Sequence, residues 1–381
     1  MKRRDPATIV ASAGVRADAL GGVAPPIWTS DTFAWPDSTT KPDYDYSRTT
    51  SPNRDLLSAA LAELEGAAGG VVTATGQAAT MLALLLVPAG RCVVAPHDCY
   101  GGTWRLLNGL HEQGKLEAVF VDQRDDAAFA EALRRKPFLV WLESPSNPLL
   151  RLVDIADRTA RAKAAGALVA ADNTLATPCR QQPLALGCDL VMHSTTKALN
   201  GHSDLIGGAL LARDDNMLEP IGWWANAAGL TGAAFDAAQI LRGLRTLPLR
   251  VDRQEQSAIR IAERLAAHER VAEVHYPGLA GHPDRALAER QQSGPGSVLS
   301  FRLAPGADPH LFLGALSQIT LAASLGSYAT LICLPATMTH RGMTAAAQAE
   351  AGITGDLIRL AVGLEAADDL FADLERALAA A

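Results

Sequence analysis

Between Ser51 and about Arg245 the chain alternates short apolar runs with amphipathic, alanine-rich stretches, and that alternation restricts the fold more than any other feature. The runs are Gly70–Thr73, Arg91–Ala95, Leu116–Val121, Phe138–Leu142, Ala167–Ala171 and Asp189–Met192. Several are apolar at every position, as strands buried on both faces of a parallel sheet are. Segments between them, such as Asp125–Arg135 and Asp154–Ala165, carry helical spacing. Strand and helix in turn predict a doubly wound α/β layout. A longer helical pattern, Leu249–His268, leads into a second region. There Gly294–Leu303 and Ile319–Leu325 have strand character, and Asp368–Ala380 closes the chain as a helix. The expected organisation is a large domain over residues 51–245 and a smaller C-terminal α/β domain over 246–381. Residues 1–50, rich in Pro, Ser, Thr and aromatics and without a long periodic segment, are expected to form an extended arm lying on something else.

A chain of 381 residues, 48% hydrophobic, can bury one large core and a smaller one. Its net charge of −7 is not interrupted by any Lys/Arg-rich run, which argues against nucleic acid or an anionic membrane as the main partner. The longest apolar run, Met81–Val87, is too short to span a bilayer. No apolar core of signal-peptide length precedes Asp18, so a soluble cytoplasmic protein is expected. Five cysteines, odd in number and without CxxC spacing, fit reduced structural thiols better than disulfides or zinc.

In an open parallel sheet, ligands bind beyond the carboxyl ends of the strands, so the residues following each run are informative. The first run leads to Thr75-Gly76-Gln77 at the start of a helical stretch, where free N–H groups and the helix dipole favour a phosphate. The second leads to Tyr100-Gly101-Gly102, an aromatic that can lie beside a flat ligand. The fourth leads to a proline-locked loop presenting Asn147, the fifth to Asp172-Asn173-Thr174, and the sixth to Ser194-Thr195-Thr196-Lys197. Asp172 and Lys197 lie 25 residues apart, at the ends of strands flanking one crossover. Pyridoxal phosphate (PLP) chemistry requires this pair: a carboxylate keeps the pyridine nitrogen protonated, and a lysine amine joins the aldehyde. Ser194 and Thr196 alternate, so both hydroxyls can face a phosphate. A Schiff-base lysine of the retro-aldol type fits the spacing too, but requires neither the Asp nor the anion cradle. His202 and Asp204 lack a third partner, so no metal site is expected. Ser194 lacks the glycine-flanked elbow of a Ser-His-Asp hydrolase. Trp223 and Trp224 are adjacent and point different ways on a helix, which favours packing or an interface over ligand stacking.

Taken together these segments resemble the Cys/Met-metabolism family of fold-type I PLP enzymes, most closely its cystathionine γ-synthase branch. The resemblance spans nearly the whole chain. It runs through Tyr44-Asp45-Tyr46-Ser47-Arg48, Ala95-Pro96-His97-Asp98-Cys99-Tyr100-Gly101-Gly102, Glu143-Ser144-Pro145-Ser146-Asn147-Pro148, Asp172-Asn173-Thr174, Ser194-Thr195-Thr196-Lys197, Asn200-Gly201-His202-Ser203-Asp204 and Met338-Thr339-His340. It implies a large PLP domain with a mostly parallel seven-stranded sheet of the aspartate aminotransferase type. Lys197 would hold the cofactor and shuttle protons, Asp172 would pair with the pyridinium, and Tyr100 would stack on the ring. Gly76, Gln77, Ser194 and Thr196 would hold the phosphate. Tyr46 and Arg48 would reach the phosphate of a neighbouring subunit in a homotetramer built from active dimers. Asn147, Ser324 and Arg359 would bind the substrate α-carboxylate, and Arg105 a distal succinyl carboxylate. The implied reaction is γ-replacement, forming cystathionine from O-succinyl-L-homoserine and L-cysteine.

The chain departs from the family pattern in three places. Ser51-Pro52-Asn53 stands where the family has Asn-Pro-Thr, Ala323 stands where synthases and many lyases have an acidic residue, and Ser327-Tyr328-Ala329-Thr330 replaces a glycine and a glutamate. Ala323 makes the pocket more apolar and removes a partner for a second amino group. It keeps open elimination of cystathionine or methionine, or use of sulfide by a sulfhydrylase. A catalytically silent PLP-binding or regulatory protein is the alternative from another class.

Overall fold

The computed structural model describes residues 4–381; Met1, Lys2 and Arg3, the start of the expected arm, lie outside them. Seven strands form the larger sheet: β1 (Gly69–Thr73), β2 (Cys92–Pro96), β3 (Glu117–Val121), β4 (Leu139–Glu143), β5 (Leu168–Asp172), β6 (Leu190–His193) and β7 (Gly208–Ala212). Their order is β1-β7-β6-β5-β4-β2-β3, and β7 alone runs against its neighbours. The six sequence-predicted runs are the other six strands, displaced by a residue or two. No run was expected at β7, which lies between β1 and β6 and makes the sheet mostly, rather than wholly, parallel.

Every position of β2, β4 and β7 is buried, because helices cover both faces. One face packs Val93, Leu139, Trp141 and Leu190 with the helix α3 (Gly76–Leu84); the other packs Val94, Val140 and Val191 with Phe129 and Ile155. These are alternate residues of the same strands, the period-2 consequence of the pleat.

The helix Leu247–Ala266 leads to a second, five-stranded sheet. Its strands are β8 (Val271–His275), β9 (Val298–Leu303), β10 (Thr320–Leu321), β11 (Leu331–Cys333) and β12 (Leu357–Ala361), in the order β10-β11-β12-β9-β8. Phe301 meets Phe312 edge-on at 5.8 Å within its core. Two expected strands are shorter than the sequence suggests. Gly294–Leu303 becomes strand only at Val298, because Pro295 cannot donate to a ladder and Gly296 has φ +79°. Ile319–Leu325 leaves the sheet after Leu321, because Ser324 adopts φ +106°, its hydroxyl accepting from Lys197 of the larger domain and its carbonyl from Arg359.

The expected arm is also not wholly extended. Residues Pro6–Ser12 form a capped helix whose Ile9 and Val10 are buried with Leu57, Leu61, Leu241 and Val251 of the same chain. Beyond it the arm carries a single bridge, Thr32 to Tyr46. Among the described residues no helix is long and apolar enough to cross a membrane.

The closing helix Ala367–Ala380 anchors the segment that enters the Ser324 turn. Asp373, fully buried, accepts hydrogen bonds from the backbone N–H groups of Ser317, Gln318 and Ile319 at 2.9–3.2 Å. Burial raises its carboxyl, but the donors of Ile319, Gln318 and Ser317 outweigh that and bring it down to about 2. A depressed carboxylate stabilises the fold above its unfolded value and loses that contribution as pH falls through its folded value. Asp373→Asn lowers the unfolding free energy by about 2 kcal/mol at neutral pH. Urea melts at successive pH values will show this difference shrinking between about pH 4 and about pH 2.

Candidate active site

A cavity of about 470 Å³ opens at the carboxyl ends of β1, β4, β5 and β6, closed on the far side by residues that follow β10 and β11. Its lining brings together Gly76, Gln77, Tyr100, Arg105, Asn147, Asp172, Ser194, Thr196, Lys197, Ser324 and Arg359. Eleven of the thirteen sequence-predicted site residues therefore share one cavity. Tyr46 and Arg48 do not line it: Tyr46 is exposed and Arg48 donates from Nη1 to the Asn226 carbonyl.

The phosphate corner is built from glycine contacts. Thr75 caps α3 by accepting from the Ala78 N–H at 2.9 Å, so the Gly76 and Gln77 N–H groups have no partner within the helix. A Cβ on Gly76 would meet Ser194 Cβ at 2.8 Å, so only glycine lets the Ser194 hydroxyl approach this helix start. Thr196 Oγ1 accepts from the Gly207 N–H at 3.0 Å and donates to its carbonyl at 3.2 Å. On the neighbouring edge, α4 (Gly101–Glu112) begins at Tyr100. A Cβ on Gly102 would meet Tyr100 Cε1 at 2.5 Å and Gln77 Nε2 at 3.0 Å, so glycine allows the ring to lie beside Gln77.

Asp172 ends β5 and accepts from the Thr174 N–H at 2.9 Å; Thr174 Oγ1 accepts from the Ser194 N–H at 2.9 Å. Burial raises the Asp172 carboxyl, while Thr174 and the charges of His193 and Lys197 pull it down. Lys197 Nζ donates to Ser324 Oγ at 2.8 Å. Burial first, and Arg359 second, lower its amine to about 8, so a substantial fraction is neutral near pH 8. Arg359, on β12 and 2% exposed, donates from Nη1 to Asn147 Oδ1 at 3.0 Å and from Nη2 to the Ser324 carbonyl at 2.8 Å. Its Nε is buried without a partner. An arginine held this way keeps donors for a ligand carboxylate.

The residues fit PLP. Two free helix N–H groups and two hydroxyls suit a phosphate, Asp172 suits a protonated ring nitrogen, and Lys197 suits an aldehyde. His202 and Asp204 instead bind Asn200, through its carbonyl and its side-chain amide. Trp223 is exposed and meets Trp224 edge-on at 4.8 Å, while Trp224 packs on the core.

One lining residue was not singled out from the sequence. Glu143, the last residue of β4 and opposite Asp172 in register, accepts from the Tyr100 N–H at 2.8 Å and the Asn147 N–H at 3.3 Å. Its place directly after a strand, in the same position as Asp172, was the signal available. Burial, and then the Asp172 charge, push its carboxyl well above the usual carboxylate range.

The fold and cavity define a PLP-dependent enzyme of fold type I. Residues 7–379 match the model of the Cys/Met metabolism PLP-dependent enzymes, and the chain belongs to that family. It is 46% identical to cystathionine γ-synthase of Escherichia coli K12 over 99% of each chain. It is 37% identical to cystathionine γ-lyase of Bacillus subtilis 168 over 97% of this chain and 98% of the other. The crystal structure of cystathionine γ-synthase from Xanthomonas oryzae pv. oryzae, in complex with aminoacrylate and cysteine, superimposes with a TM-score of 0.97. That chain is 48% identical, and the match covers 99% of this chain and 98% of that one. Synthases and lyases both stand among the relatives.

Only a neutral amine attacks an aldehyde. Capture of PLP by the apoenzyme, trapped with borohydride and quantified as label on Lys197, rises about tenfold per pH unit below about pH 8 and levels off above it. In Arg359→Gln the break moves to higher pH, because one of the two influences holding the amine down is gone.

Proposed function

We propose that this enzyme catalyses γ-replacement, joining O-succinyl-L-homoserine to L-cysteine to form cystathionine and succinate. The observation that carries the reading is a pair of arginines lining one cavity. Arg359 is buried beside Asn147, and Arg105 is exposed, with no carboxylate partner among the described residues. A substrate with two carboxylates matches that pair: the α-carboxylate at Arg359 with Asn147 and Ser324, the succinyl carboxylate at Arg105. Identity to the E. coli synthase over 99% of each chain supports the same reading.

When bound, PLP draws electrons from the substrate Cα through its protonated ring. Gly76, Gln77, Ser194 and Thr196 would hold its phosphate, Asp172 its ring nitrogen, and Tyr100 would lie against its ring. The Lys197 amine, in its neutral form, would take the substrate Cα proton. An amine lowered to about 8 is matched to that task. Loss of a further proton at Cβ would let succinate leave from Cγ, the cysteine thiolate would bond to Cγ, and Cβ and Cα would regain one proton each, that at Cα from Lys197.

A specific observation keeps a second reading. Ala323 lines the exposed part of the cavity, and the lining carboxylates, Asp172 and Glu143, both stand at strand ends on its floor. An incoming thiol therefore meets no carboxylate of this chain at the mouth to hold its ammonium. Elimination from methionine, or replacement by sulfide, brings no second ammonium and needs none.

We take residues 1–50 as an arm toward a neighbouring subunit, 51–245 as the PLP-binding unit and 246–381 as the C-terminal unit. Exposed Tyr46 lies under Arg48 at 5.8 Å, and we take this pair as the one that would reach a second copy's phosphate in a homotetramer of active dimers. Five free cysteines, four of them buried, favour a reducing cytoplasm.

Purified enzyme offered O-succinylhomoserine with cysteine yields cystathionine by mass spectrometry, and Arg105→Ala raises KM for the succinyl ester about tenfold or more. Ketobutyrate and cysteine released from cystathionine alone would replace this reading with a lyase.

A further inference from the structure

We propose that Glu143 is a positioning residue whose single carboxyl group fixes Tyr100 relative to Asn147, and so sets the gap between the ring that covers the cofactor and the amide that orients the substrate carboxylate. The proposal rests on the placement of Tyr100 and Asn147 in the reading above.

Glu143 is 6% exposed and lines the cavity floor. Neither of its oxygens meets a cationic side chain among the described residues. Oε2 accepts the N–H of Tyr100, at the first turn of α4, and Oε1 accepts the N–H of Asn147, four residues along its own chain. The two N–H groups belong to loops that follow different strands, β2 and β4, yet their side chains line the same cavity. The Asn147 side chain in turn accepts from Arg359, so the tie extends to the second sheet. A buried carboxyl group is costly without donors, and here backbone N–H groups supply both.

The partner strand end shows why the group suits this task. Asp172 stands opposite Glu143 in register, and two neighbouring buried carboxylates do not both ionise readily. Asp172 must be ionised to hold a protonated ring nitrogen. Burial, and then the Asp172 charge, raise the Glu143 carboxyl, and the N–H donors of Tyr100 and Asn147 oppose that rise. A second tie spans the same loops: Asp98 accepts from Ser146 Oγ at 2.9 Å and from Arg151 at 3.3 Å. Asp98 holds neither Tyr100 nor Asn147 itself, which separates the two carboxylates by function.

Glu143→Gln keeps the shape but offers an amide N–H₂ to one of two backbone donors, so one bond is lost. In the reconstituted enzyme we expect kcat/KM to fall about tenfold, mainly through KM, because the substrate carboxylate loses its oriented amide. The visible circular dichroism of the bound cofactor is expected to weaken, because the ring is no longer held against Tyr100. Should the amide fail to fold, Glu143→Asp, which draws the carboxylate back by one methylene, must move both readouts in the same direction. Folded variants with lowered Tm but unchanged KM and circular dichroism would overturn the proposal, leaving the Asp98 tie sufficient. Borohydride labelling separates this from failure of the parent reading. Label on Lys197 with unchanged KM and dichroism overturns the Glu143 role alone, whereas absence of label on Lys197 in the parent enzyme overturns both.

Discussion

The buried guanidinium of Arg359 holds the site together. It belongs to the smaller sheet, but its donors go to Asn147 beyond the larger sheet and to the carbonyl of Ser324. Ser324 in turn accepts from Lys197, beyond β6 of the larger sheet. A buried cation must be satisfied by acceptors, and here those acceptors are site residues. Its charge, second to burial, lowers the Lys197 amine, and it holds the carbonyl of Ser324, whose φ of +106° L-residues seldom adopt. Strain of that kind persists where surrounding contacts over-determine it. Docking of the two sheets and tuning of the lysine are therefore one event.

The carboxyl ends of the parallel strands explain why so much of this is legible in the sequence. β1, β5 and β6 end within a few residues of Gly76, Asp172 and Lys197, and the topological rule for open sheets places their ligands there. Strand ends are local in sequence, so apolar runs locate them. What was not readable depends on contacts distant in sequence. The Ser324 turn interrupts an apolar pattern that favours strand, because Arg359 and Lys197 require its polar groups. β7 enters the sheet between β1 and β6, a pairing no local pattern contains. The Pro6–Ser12 helix is short, and only burial of Ile9 and Val10 against distant residues stabilises it. Glu143 was visible as a strand-end residue, but its role lies in two backbone donors that only the folded loops bring to it.

The site's charges are also sorted by depth. Asp172 and Glu143 stand side by side at strand ends, where burial raises both carboxyls and the Asp172 charge raises that of Glu143 further. Arg105, with the apolar Ile206 and Ala323, forms exposed parts of the lining. A floor with acidic groups favours a protonated ring nitrogen, and a cationic, partly apolar mouth favours an anionic substituent at the far end of the substrate. Under the proposed reading an amino acid enters with its α-carboxylate at Arg359 and its leaving group outward. On that reading the charge gradient of the pocket brings the reacting Cα toward the amine of Lys197, and the exposed wall around Ala323 faces what arrives next.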